Sequence, residues 1–162
     1  MKKRVMILIG TVALALCGTI GYLLNRGTDV KSALQEQANN ILKEAKRNEQ
    51  ANKFLQHVSI KVKDVKDDKV TFVISTVDMV SLTKQIAQQT SDIENATVLI
   101  EETKKKLESS LVSGNFETKN FTVTCDIHKN KDKYTFEETA EFTDAIFGGL
   151  IKELEHQLKE RD

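Results

Sequence analysis

Apolar positions along the chain change period several times, and the changes mark out its elements. Val5 to Leu24 is a run of twenty residues without a charge. From Val30, apolar positions recur every three to four residues through Leu34, Ala38, Ile41, Ala45 and Leu55, predicting one amphipathic helix. Val58, Ile60 and Val62 then alternate with polar residues, as do Val70, Phe72 and Ile74 beyond a charged DVKDDK link. That period of two predicts a β-hairpin with one buried face.

Leu82, Ile86, Ile93, Ile100, Leu107 and Leu111 return to helical spacing, with a weakly helical QQTSDIEN stretch between them. Phe121, Val123, Cys125 and Ile127 predict a third strand, and Tyr134 and Phe136 a fourth after HKNKDK. Phe142, Ile146, Leu150, Leu154 and Leu158 predict a closing helix, interrupted by Gly148-Gly149, where a kink or close backbone approach is expected. The fold class predicted is α+β: an N-terminal transmembrane helix, then an α-ββ-α-ββ-α domain of antiparallel hairpins packed on amphipathic helices. Asp68-Lys69-Val70-Thr71-Phe72 also echoes Asp132-Lys133-Tyr134-Thr135-Phe136, as Thr76-Val77-Asp78-Met79 does Thr139-Ala140-Glu141-Phe142. The echo is either a twice-used helix–hairpin unit or chance.

Twenty helical residues span about 30 Å, the thickness of a bilayer's hydrocarbon core. Residues 1–4 read as a cytoplasmic basic region, 5–24 as a signal-anchor, 25–29 as a linker and 30–162 as an extracytoplasmic domain. The anchor face is carried by Val5, Leu8, Ile9, Val12, Leu14, Leu16, Ile20, Leu23 and Leu24. Lys2, Lys3 and Arg4 outnumber Arg26 on the other flank, which keeps the N-terminus inside. The expected location is therefore a cell membrane, single-pass, with the domain outside.

Two other readings of the segment compete. Ala13-Leu14-Ala15 offers a signal-peptidase pattern, but cleavage there leaves an apolar new terminus. Leu14-Ala15-Leu16-Cys17 resembles a bacterial lipobox, which implies lipidation of Cys17. It departs from that pattern at Leu16, where a small residue is expected, and the apolar run continues beyond the cysteine.

Composition narrows the function classes. The formal charge is zero overall, yet residues 1–28 carry +4, so residues 29–162 carry −4. An acidic domain lacks the phosphate-neutralising surface that nucleic-acid binding needs. Proline is absent, which favours long helices and hairpins over looped surfaces.

No catalytic, cofactor or metal site is predicted. His57, His128 and His156 lack zinc-ligand spacing. Cys125 falls on an apolar strand face, as a core thiol does. The carboxylate pairs Glu101-Glu102 and Glu137-Glu138 are adjacent, so they point in different directions. The sequons at Asn95 and Asn120 are short enough to arise by chance.

One candidate partner face remains. Leu34, Ile41, Asn48 and Leu55 recur every seven residues, and a buried Asn48 could set register in a homo-oligomer. The companion positions Ala38, Ala45 and Asn52 are thin for a zipper, so packing on the chain's own sheet is favoured. The expected function is a membrane-tethered, non-catalytic binding or accessory domain of the envelope. Its predicted partners are the bilayer through residues 5–24 and an unidentified protein or envelope component. The alternatives are a self-associating structural protein and a small hydrolase, secreted or lipid-anchored, using His57 or His128.

Overall fold

The computed structural model describes residues 29–131 and 133–160. The predicted anchor, with Cys17, lies outside them. Among the described residues no helix is long and apolar enough to cross a membrane.

The elements are α1 (Val30–Ala45), α2 (Glu49–Leu55), β1 (Ser59–Lys66), β2 (Lys69–Val77), α3 (Met79–Gln89), α4 (Ala96–Ser113), β3 (Thr118–Asn130), β4 (Lys133–Phe136), α5 (Ala140–Ile146) and α6 (Leu150–Lys159). The predicted order of helical regions and hairpins holds, with each helical region divided in two. The strands form one antiparallel sheet in the order β1-β2-β3-β4. It curls so that α1 packs against both edge strands, β1 and β4.

Each helix break has a local cause. The first helix ends at Ala45 because Asn48 starts a new one: its Oδ1 accepts the Ala51 backbone N–H at 3.2 Å. An asparagine gains more as an N-cap, satisfying an orphan donor, than inside a helix. The second region breaks before Asn95, whose Oδ1 accepts from Thr97 N and Val98 N at 3.0 and 3.2 Å. That restart shifts the buried stripe of α4 onto Leu99, Thr103 and Leu111, leaving Ile100 exposed against expectation. Residues 66–69 form a tight turn with Asp67 and Asp68 both left-handed (φ 51 and 56°), so the charged link is mostly strand.

The core lies on one face of the sheet. Ile60, Val62, Val70, Phe72, Ile74, Val123 and Cys125 point into it from the strands, as alternation predicts. Phe72, Phe136 and Phe142 meet at its centre, with ring centroids 4.7 to 5.3 Å apart. The echoed Phe72 and Phe136 thus touch each other, but the two halves differ otherwise. Asp78 caps α3 and Thr139 caps α5, positions that do not correspond in the echo.

The third break, between α5 and α6, is a close approach. Gly148 (φ 66°) faces the β2–α3 junction so tightly that a Cβ there would sit 2.1 Å from Val77 O. Beside it, the buried Thr76 hydroxyl donates to Ile146 O at 3.0 Å. The buried Asp144 accepts from Lys152 N at 3.0 Å and so caps α6.

Gly114 is also left-handed (φ 71°) but meets nothing within 4 Å. Gly114→Ala should therefore cost only backbone strain, about 1 kcal/mol. Gly148→Ala adds a backbone clash and should cost about 3 kcal/mol or more in urea unfolding. Equal costs for the two would show that the approach relaxes freely.

Candidate functional site

All the helices that contact the sheet leave its second face open. Residues on that face follow from the strand register, which aligns Ser59 with Ser75 and Asn120, Lys61 with Val73 and Thr122, and Asp64 with Thr71 and Thr124. Apart from the long Lys61 and the apolar Val73 these side chains are short and polar, and all are half-buried or exposed. Thr71 Oγ1 and Thr124 Oγ1 lie 3.2 Å apart across the strands, and Lys69 Nζ lies 3.0 Å from Asp126 Oδ1. That ion pair is largely solvated, so it contributes little stability. The result is a polar sheet surface whose hydroxyls and charges could meet a partner without desolvating a fixed apolar core.

The edges of this sheet are closed by two glutamines that the periodicity did not single out. Gln35 Nε2 donates to Ile60 O at 2.7 Å, and Gln35 Oε1 accepts Val62 N at 2.8 Å. Gln37 makes the same pair with Phe136: Nε2 to its O at 3.3 Å, and its N to Oε1 at 3.0 Å. A sheet edge with unpaired N–H and C=O groups invites pairing with another chain. At Ile60, Val62 and Phe136 the edge backbone is occupied by side-chain amides and so is withheld from strand pairing with another chain.

Helical periodicity cannot mark such residues, because an amide at the margin of an apolar stripe reads as ordinary solvent-facing polarity. The open face, by contrast, was visible as the polar half of the strand alternation.

The predicted partner face is turned inward. Leu34, Ile41 and Leu55 are 0, 5 and 1% exposed in the chain's own core, and Asn48 lies outside, at the break between α1 and α2. Packing on the sheet, the favoured role, is the one observed. A continuous seven-residue seam is not formed, because the helix stops where that seam would need to continue.

The chemically reactive side chains are dispersed. His57 Nε2 lies 3.0 Å from Leu111 O, so that nitrogen donates, and its ring meets Phe116 edge-on at 4.7 Å. His128 stands 3.3 Å from Glu137 Oε2 on the surface, and His156 lies 3.6 Å from Glu160 Oε1. No three His, Cys, Asp or Glu among the described residues are placed to hold a metal ion. Asn95, one of the sequon residues, is engaged as the α4 cap.

Cys125 is 1% exposed. Burial pushes its thiol pKa up, and this outweighs the lowering by hydrogen bonds to Thr139. A thiol held neutral is neither a nucleophile nor a metal ligand. Its position makes it a packing residue between sheet and α5.

No protein-family model matches the chain, and no curated protein matches it. Among solved structures it is similar to ycdA, a candidate lipoprotein from Bacillus subtilis subsp. subtilis str. 168, at 12% identity and a TM-score of 0.41. The alignment covers 90% of this chain and 55% of that one, so the chain spans little more than half of that neighbour.

The burial of Cys125 predicts its reactivity. In the folded protein at pH 8, alkylation by iodoacetamide should be at least about a hundredfold slower than in denaturant. Rapid alkylation without unfolding would place the thiol at an accessible, activated site.

Proposed function

We propose that this chain is a non-catalytic accessory or binding domain of the cell envelope. Residues 5–24 tether it to the membrane, and its partner docks on the open face of the sheet. The observation carrying this reading is the uncovered polar face bearing Lys61, Thr71, Val73, Thr122 and Thr124. Globular sheets with helices on one side usually leave the other face to water or to a partner. Here the tether would hold that face close to one membrane, since the linker 25–29 extends at most about 17 Å.

The side chains support binding over turnover. A general acid or base must reach a proton together with a second positioned group. His57 is engaged by a backbone carbonyl and His128 by a glutamate, on separate elements. Self-association through α1 has no comparable support, because the side chains that would form the seam are in the core.

Two measurements on the full chain in its own membranes test the reading. The mass of the mature protein should correspond to a chain retaining residues 5–24. A start at Leu16 would overturn the tether, and a lipid-modified Cys17 would overturn its assignment to residues 5–24 by putting a lipid anchor in their place. Photocrosslinking groups at Val73 or Thr122 should give an adduct that the same group at Lys105 on α4 does not. Identical adducts from both faces, or substrate turnover abolished by a single side-chain change, would overturn the binding face.

A further inference from the structure

The β3–β4 hairpin reaches beyond the rest of the sheet. The last β2–β3 pair is Lys69↔Asp126, yet β3 continues to Asn130, paired only with β4 from Ile127↔Phe136 to Asn130↔Lys133. This two-stranded ribbon projects about 10–13 Å past the β1–β2 turn.

Its direction is fixed by α1. Lys31 Nζ donates to Lys63 O at 3.3 Å, and one turn later Gln35 pairs with Ile60 and Val62. The helix therefore runs antiparallel to β1, and its N-terminus lies at the end of the sheet that holds the β1–β2 turn. Asp68 of that turn accepts the Ile127 N–H at 2.8 Å, so the ribbon departs from the same end. Asp29, the residue that precedes α1, lies at that end too.

The ribbon is basic, in a domain that carries −4. Residues 128–134 contain Lys129, Lys131 and Lys133 against one acid, Asp132. Among the described residues none of these three lysines forms an ion pair. Lys129 instead lies 5.3 Å from the Tyr134 ring centroid. Lys131 is exposed, in a left-handed turn conformation (φ 56°).

We propose that this hairpin tip rests on the anionic headgroup surface of the membrane that holds the chain. The lysines neutralise lipid phosphates and fix how the domain, and hence its open sheet face, stands relative to the bilayer. This rests on the tether proposed above. A basic ribbon on the tethered end of an acidic domain is brought to the headgroup layer by a linker too short to hold it away. Headgroup attraction of this kind falls off within a Debye length, about 10 Å at 0.1 M salt, so only groups at that end contribute.

The test uses the full chain reconstituted in vesicles of phosphatidylcholine alone, or with phosphatidylglycerol added. Acylation by a water-soluble amine reagent is followed residue by residue, with Lys104 and Lys105 on α4 as internal references. Lys129, Lys131 and Lys133 should react about tenfold more slowly in the anionic vesicles, and recover in high salt. Equal rates in both vesicles, with the chain floating alongside them, would overturn the headgroup contact and leave the tether intact. Slowing that is the same in neutral vesicles, or survives high salt, would overturn it in favour of a protein contact such as a second copy. Failure to float with neutral vesicles would remove the tether and this proposal together.

Discussion

Two side-chain amides on one helix hold this fold closed. Gln35 and Gln37 are two residues apart, so they project about 200° apart around α1, to opposite sides of it. One pairs with the backbone of β1, the other with that of β4. A four-stranded sheet normally has two raw edges. Here both edges are brought to the same helix, and each finds there an amide that imitates the missing neighbour strand. Without α1 the sheet could still pair internally, but its edges would be open to other chains.

Other parts of the structure follow from that closure. A sheet curled around α1 must gather its core on the concave side, which brings Phe72 from β2, Phe136 from β4 and Phe142 from α5 into one cluster. It must also leave the convex side without helices. The second constraint sits at the other end of β2, where Gly148 and Thr76 lock the α5–α6 turn against the start of α3. Helix α3 then packs against α4 and α6, α4 also meets α2, and Met79, Leu82, Ile86, Leu111 and Leu150 carry them into the core. Their exposed large apolar residues are Val98, Ile100 and Val112, scattered along α4, and Leu158 near the end of α6, as on many helix faces.

Much of this was legible in the sequence because alternation and helical spacing are set by burial. Val70, Phe72 and Ile74 declared the buried face of β2, and Cys125 its place in β3. Breaks inside helices were less legible, since an asparagine at Asn48 reads equally as a buried register residue or as a cap. Tertiary context decides between them: the chain must turn there to bring Phe54 and Leu55 into the core. The edge-pairing role of Gln35 and Gln37 was not legible at all. It depends on which backbone lies beside each amide, and a residue's own sequence neighbourhood carries no record of that. The open face was legible as polarity, while the projecting ribbon was hidden inside a lysine-rich link that looked like an ordinary solvated loop.

The functional reading leans on the same closure, because edge backbone held by α1 at Ile60, Val62 and Phe136 is withheld from a partner there. Hydrogen exchange at individual amides in the wild type and in a Gln35→Ala/Gln37→Ala variant tests this most directly. If the glutamines seal the edges, Val62 and Phe136 should lose protection about tenfold more than Ile74 in the central strand β2. Unchanged relative protection at Val62 and Phe136 would mean the edges are held by packing alone, and the closure by α1 would not rest on these amides.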